Sequence, residues 1–428
     1  MKGPAYDKKD NYIDWIVMFL LIGNTANPFF YRSVAMLSIS FIILFILSYF
    51  KTPGEKVRFN KYFYIYIGAI LLLQAAQTIV YHVFPFKTFL GEYLRIAFAI
   101  LALTMLGQGF FDRFIKFTYI FAVISLCFYI PSLLIKSFAP FMINNLAKYT
   151  LAPFVDNFDG LYTNRENLII FNFTQADLHR NSGFYWEPGS HGGMLLIALF
   201  LNLFYRKEPV FSKYNIIFLV TILTTLSTTT YLAVFFVILL YLKDFLLKRP
   251  VISLFILLSL VATSFLLYSK LEFLNKKIDK QIEYSNKGVP GESRFNSFLA
   301  DMRILAEHPY IGTGRSIEMK FGKNYFNLNA KAIHRNNGLG VLMGTYGIFF
   351  FCLWLFLLYK TFYSVLLSSI NAFMGVALLL IIGFSEDYFF KVFFIALVIF
   401  SGMVFIPVNR RKSSRKLRLG IDRDHVIV

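Results

Sequence analysis

The stretch Arg180-Asn-Ser-Gly-Phe-Tyr-Trp-Glu-Pro-Gly-Ser-His-Gly-Gly193 runs directly into Met194-Leu-Leu-Ile-Ala-Leu-Phe-Leu-Asn-Leu-Phe204. The first half carries an arginine, a glutamate, a histidine, four glycines and three aromatics, and the second is almost pure hydrocarbon. So polar a run at the mouth of an apolar helix is costly in a bilayer unless it faces water, a partner or a substrate. The rest of the chain repeats the apolar half. Of 428 residues, 57% are hydrophobic, 19% aromatic and 16% charged, whereas an ordinary soluble domain has about 25% charged residues. Apolar runs of about 15 to 24 residues recur, and most are long enough to cross a bilayer as helices. The expected fold is an all-α polytopic membrane protein.

About twelve spans are expected, at roughly 12–29, 33–50, 62–82, 88–107, 113–136, 190–205, 213–227, 229–243, 250–268, 337–359, 363–384 and 388–406. The region 213–243 reads as one broken helix or as two short ones. Basic residues in short loops set the orientation. Lys51, Lys56, Arg58 and Lys61 follow the second span, Arg113 and Lys116 the fourth, Arg206, Lys207 and Lys213 the sixth, and Lys243, Lys248 and Arg249 the eighth. Arg410, Arg411, Lys412, Arg415, Lys416 and Arg418 crowd the tail. All fall on one side of a twelve-span chain, and the connections 227–230 and 385–388 carry neither Lys nor Arg. Both termini are therefore expected in the cytoplasm.

The resulting division is membrane helices 1–5 in 1–136, a first external loop at 137–189, helices 6–9 in 190–268, a second external loop at 269–336, helices 10–12 in 337–406 and a basic tail at 407–428. Cytoplasmic loops and anionic lipid headgroups account for the net charge of +19, and no nucleic-acid partner is expected. Asp14 interrupts the first apolar run and no small-residue cleavage site follows, so no cleavable signal peptide is expected. Cys127 and Cys352 lie in apolar runs and read as small buried hydrophobes. Internal repeats, Walker and Rossmann motifs and the metalloprotease helix motif are absent from the sequence.

Chemistry is expected in the two external loops. Both are rich in aromatics, and the second carries an amphipathic helix near 293–307, with Phe295, Phe298, Leu299, Met302 and Leu305 on one face and Pro309 as its stop. Arg180, Arg294, Arg303, Arg315 and Arg335 stand in these loops, and Arg95 lies about two turns into the fourth span. Guanidinium binds phosphate bidentately and stays charged at any working pH, so these arginines fit an anionic, membrane-proximal ligand. An interfacial arginine is also a common snorkelling anchor. Glu187 and His334 are alternative general bases for a hydroxyl. Glu187 also reads as an ion-pair partner of Arg180, His334 as a helix cap and His191 as local structure. Tyr185 and Trp186 offer flat faces to a sugar or to the headgroup belt. Gly312-Thr-Gly314 reads either as a plain turn or as a backbone phosphate cradle.

These residues resemble the O-antigen and capsular polysaccharide polymerases, relatives of the O-antigen ligases, in order and kind along most of the chain. Arg180-Asn-Ser-Gly-Phe-Tyr-Trp-Glu-Pro-Gly189 is similar to that family's Arg-x-x-Gly-x-x-x-Glu-Pro element, and Leu226-Ser-Thr-Thr-Thr-Tyr-Leu-Ala233 to its Ser-x-Thr helix break, with Thr228 where members often have Arg. Arg294 followed by His308-Pro-Tyr-Ile-Gly-Thr-Gly314 resembles its Arg, helix and Pro-x-x-Gly-x-Gly sequence. His334-Arg-Asn-Asn-Gly-Leu and Gly344-Thr-Tyr-Gly347 resemble its His-Asn-x-x-Leu…Gly element, although aligning Gly347 puts Asn336, not His334, at the histidine position.

The resemblance implies a metal-independent, cofactor-free glycosyltransferase of the GT-C type in the bacterial inner membrane. It would join undecaprenyl-diphosphate-linked glycans, donor to acceptor, at the outer face, among membrane lipids and beside a chain-length regulator and a flippase as further candidate partners. Arg180 and Arg294 would hold the diphosphate with support from Arg335 and Arg315, and Glu187 or His334 would take the hydroxyl proton. Tyr185, Trp186 and Asn337 would line the substrate path. The rival readings are an O-antigen ligase acting on lipid A core, from another class a glycolipid flippase or transporter, and a non-catalytic assembly scaffold, which would not need the arginines.

Overall fold

The computed structural model describes residues 12–30, 33–51, 55–150, 168–173, 179–249, 279, 283, 293–321 and 337–407. The helices are α1 (Tyr12–Ala26), α2 (Val34–Phe50), α3 (Lys61–Tyr81), α4 (Phe86–Leu106), α5 (Phe110–Leu134), α6 (Phe138–Asn145), α7 (Pro188–Phe204), α8 (Lys213–Thr225), α9 (Thr228–Lys248), α10 (Arg294–Glu307), α11 (Ile317–Phe321), α12 (Gly338–Leu366), α13 (Ser369–Ser385) and α14 (Val392–Phe400). Three helical stretches, Lys61–Tyr81, Phe86–Leu134 and Gly338–Leu366, are long and apolar enough to cross a membrane. A protein of this kind is a mostly helical membrane protein. The expected all-α fold gains one sheet, in which β1 (Glu55–Phe59) and β2 (Met403–Pro407) pair antiparallel.

Polar contacts gather at two opposite ends of the helices. At one end the Asp14 carboxylate pairs with Lys51 and with Arg113 (2.7 Å), Glu55 accepts from the Gln108 amide (3.0 Å), and Arg206 pairs with Asp112 (2.8 Å). The β1–β2 ribbon lies here too, tied down by Gln108 Nε2 donating to Phe405 O. These are the basic connections that the sequence puts on one side. At the other end Trp186 N donates to Ala26 O, Arg180 Nε to Thr225 O, Gln77 Nε2 to Ile311 O and Asn337 Nδ2 to Phe384 O. Between the ends α7 is buried along its length, from Pro188 to Leu203, and α14 from Val392 to Ile399. Outer helices turn Ile42, Phe45, Leu71 and Leu72 outward, a surface suited to hydrocarbon.

Several expected boundaries shift. Residues 213–243 form two helices, with Leu226 in the left-handed region (φ 47°) between them. The last expected span, 388–406, contains only the nine-residue α14, because the chain leaves the helix at Ser401 and Gly402 to pair with β1. The helix expected to end at 359 continues to Leu366, and Ser368 caps the next one by accepting from Asn371 N. Within α12 the helix breaks at Gly347 (φ 75°, ψ 175°), where Ile348 N turns to Pro309 O (2.9 Å) instead of a helical carbonyl. Span 250–268 lies outside the described residues.

One further expectation is corrected and another is met. Cys127 and Cys352 are free and exposed, not buried. Each shares its helix face with outward apolar residues, Ile120 and Ile130 for the first and Phe349 and Phe356 for the second. The amphipathic helix forms as α10, but its buried side is polar, with Asn296, Ser297 and Asp301 turned inward and Phe295 and Leu299 exposed. The inward choice follows from α12, whose Gly340 admits Asp301 Cβ and Phe298 at just over 3 Å from a notional Cβ.

Candidate functional site

Three asparagines hold the polar stretch ahead of α7. Asn181 donates its side-chain amide to Thr224 Oγ1 (2.9 Å) and Ser125 Oγ (3.2 Å) and accepts from Gly183 N (2.9 Å). Asn172 Nδ2 donates to the Tyr185 and Trp186 carbonyls, and Asn27 Nδ2 to Phe184 O. The turn needs Gly183 (φ 52°), because a Cβ there would meet the His191 ring at 2.4 Å. The stretch ends at Glu187, which occupies the N-cap of α7 ahead of Pro188. Its carbonyl accepts the His191 amide, but its side chain makes no cap bond and extends elsewhere.

That side chain meets Glu386, at the C-terminal end of α13. The two carboxyls share a hydrogen bond, and both Arg294 and Arg180 act on each of them. Arg294, the first residue of α10 behind the Ser293 cap, donates Nη2 to Glu386 Oε1 at 3.2 Å. Glu386 is closed off at 3% exposure, whereas the Arg294 side chain keeps 31%. Glycine on α7 makes room for the pair, since a Cβ on Gly189 would stand 2.3 Å from Glu386 Oε1. Gly193 gives similar room to Tyr388, whose hydroxyl donates to Ser190 O (2.7 Å).

Burial, and then the charge of Glu187, lift the Glu386 carboxyl well above the usual range. Burial also acts to raise Glu187, but the hydrogen bond from Glu386 and the charge of Arg294 outweigh it and hold Glu187 below its ordinary value. Two carboxyls this close cannot both ionise freely. The arrangement therefore keeps one proton, on Glu386, and leaves Glu187 as a half-buried carboxylate. Arg180 Nε is anchored on Thr225 O (3.1 Å) at the C-terminus of α8, where a cation also meets the helix dipole.

The other expected residues separate. Tyr185 is fully buried with its ring on His191 (5.2 Å), so it lines no sugar path; His191 is local structure. Trp186 is half-buried between Tyr388 (5.7 Å) and the Lys391 ammonium (5.7 Å). Asn337 is fully buried and caps α12, accepting from Gly340 N (2.8 Å) and donating to Phe384 O (2.9 Å). Both ends of its amide are taken, which corrects its expected substrate contact. Arg315 lies over Phe390 (4.5 Å) and acts on Glu92 and Arg95, not on the glutamate pair. In Gly312-Thr-Gly314 the Thr313 and Gly314 amides donate to Gly344 O and Thr345 O (2.9 Å each), so the turn clasps α12 and offers no phosphate cradle. His334 and Arg335 lie outside the described residues.

Sequence reading missed Glu386, Asn27 and Asn172. The signal for the first was present: Glu386 and Asp387 are adjacent carboxylates between apolar runs, and acids at that place in a membrane chain are candidates for function. Among the described residues no group of three or more His, Cys, Asp or Glu gathers as a metal site. No protein-family model matches the chain, and no curated protein does.

Proposed function

We propose that the chain is a polysaccharide polymerase, a twelve-span glycosyltransferase of the GT-C type that joins undecaprenyl-diphosphate-linked repeat units at the outer face of the bacterial inner membrane. The observation that carries this reading is the half-buried Glu187, whose carboxyl meets that of Glu386, with the guanidinium groups of Arg294 and Arg180 acting on both. As the acceptor hydroxyl attacks the donor's anomeric carbon, its proton passes to Glu187. The new glycosidic C–O bond forms while the bond from that carbon to the diphosphate oxygen breaks. Charge then grows on the leaving diphosphate, where Arg294 and Arg180 oppose it, a role otherwise filled by a cation. An approaching diphosphate also draws Arg294 away from the carboxyls, which makes Glu187 a stronger base at the moment it is needed.

The test is a deletion strain complemented with Arg180→Ala, followed by gel analysis of its surface glycan. The expected result is a single repeat unit on the core with no ladder, from a protein that inserts normally. A normal ladder sinks the assignment. Loss of every unit, with polymer left on the carrier lipid, marks a ligase instead, and single units trapped inside mark a flippase.

A further inference from the structure

The residue after Glu386 belongs to a second charged group. Arg95 on α4 lies within electrostatic reach of Asp387, of its α4 neighbour Glu92 and of Arg315 just past the Gly312–Gly314 turn, and Arg315 also acts on Glu92. Arg315 is the strongest charge acting on Arg95, so each guanidinium group lies in the field of the other. A carboxylate normally stands between such a pair, and among the described residues no ion pair joins either arginine to an acid. Glu92 is buried with its Oε2 taken by Gln74 Nε2 (2.8 Å), and Asp387 Oδ1 is buried without a hydrogen-bond partner. Arg95 donates one long bond, Nη1 to Gly91 O at 3.3 Å. Arg315 donates none to the described residues; its Nη1 is buried and unpartnered, and its plane rests on the Phe390 ring.

A permanently charged donor such as Arg315 Nη1 is disfavoured when it is buried without an acceptor. A snorkelling arginine would avoid that by swinging to water, but the backbone before Arg315 is fixed. Gln77 Nε2 donates to Ile311 O (2.6 Å), Tyr81 Oη to Gly312 O (2.7 Å), and the two turn amides are fastened to α12. The side chain is thus presented from a rigid strap with its donors unmet.

We propose that Arg95 and Arg315 form a second anion subsite, which takes a phosphate-class oxyanion between the two guanidinium groups. A diphosphate, with oxygens on opposite sides, offers each fork an acceptor. The subsite's role rests on the polymerase reading: a polymerase binds two lipid-linked diphosphates, and the second would be the acceptor's. A headgroup phosphate of bulk anionic lipid has the same chemistry.

The experiment is equilibrium binding of radiolabelled undecaprenyl diphosphate to the full-length protein in detergent, with unlabelled undecaprenyl diphosphate or phosphatidylglycerol as competitor. Wild type should retain two molecules per chain. Arg315→Gln or Arg95→Gln should weaken one of the two by about 10- to 100-fold, the loss of one or two charge-assisted hydrogen bonds. Arg315→Lys keeps the charge and should fall in between, while Arg294→Gln should weaken the other molecule. Displacement by undecaprenyl diphosphate alone assigns the subsite to the lipid-linked substrate; equal displacement by phosphatidylglycerol supports the subsite and assigns it to bulk headgroups. One molecule per chain, bound equally by wild type and by a folded Arg315→Gln or Arg315→Lys protein, overturns the proposal. Binding is read without turnover, so a chain that binds two and makes no ladder in cells keeps the subsite and loses the polymerase reading.

Discussion

Glu386→Gln isolates the proton shared by the two glutamates. The amide has the shape of the carboxyl it replaces. Its Oε1 can accept from Arg294 Nη2, now 3.2 Å from Glu386 Oε1, and its NH₂ can donate to Glu187 as a protonated carboxyl does. With the proton on Glu386, the change removes no charge and keeps both hydrogen bonds, so its cost should be about 1 kcal/mol or less. With Glu386 ionised instead, the change would strip a carboxylate that is 3% exposed from its guanidinium partner, at about 3–5 kcal/mol. Thermal unfolding of the solubilised protein separates the two, since 1 kcal/mol corresponds to about 2–4 °C or less in a chain this long. Polymer synthesis should stay within about tenfold of wild type in Glu386→Gln, and fall by about 10²- to 10⁴-fold in Glu187→Gln. A Glu386→Gln protein that unfolds as far early as the ionised case requires, or that loses as much synthesis as Glu187→Gln, refutes both the placement of the proton and the choice of base.

The same pair sets a pH dependence. Because the folded-state pKa of Glu386 is raised, its contribution is full below the ordinary carboxylate pKa of about 4.3 and is lost as pH rises towards the raised value; melting temperature against pH should fall over that interval in wild type and be flatter in Glu386→Gln. Glu187, held low, acts oppositely, so its contribution should disappear only as pH drops below the ordinary range, and Glu187→Gln should remove that acid limb. Gly189→Ala puts a Cβ 2.3 Å from Glu386 Oε1; it should cost about 1–3 kcal/mol in thermal unfolding and cut synthesis by displacing the pair. Asn337→Ala removes a cap and a second buried hydrogen bond, so stability should drop by about 1–3 kcal/mol with the substrate KM unchanged.

What the sequence made legible was whatever depends on neighbours along the chain. Apolar runs fixed most helices, and the Lys/Arg count sorted the connections into the two ends at which the polar contacts gather. The misses are places where a remote segment decides. Nothing near Gly347 says that α12 breaks there; the break exists because Pro309 O is at hand to take Ile348 N. Nothing in 388–406 says that the helix stops at Phe400, because the reason is strand β1, more than three hundred residues earlier. In α10 the apolar face was readable, but its direction was set by glycines on α12 that admit Asp301.

The glycines of the opening stretch show where that limit lies. Gly192 and Gly193 stand one turn on from Gly189 at the polar end of an apolar helix, and small residues at helical spacing announce that something approaches closely. That much is local. What approaches is Glu386 at the first, Thr230 at the second and Tyr388 at the third, two of them nearly two hundred residues away. A glycine records the space a partner needs and not its identity, so the stretch could announce a site while its second carboxyl stayed hidden in a four-residue connection whose most evident property was the absence of Lys and Arg.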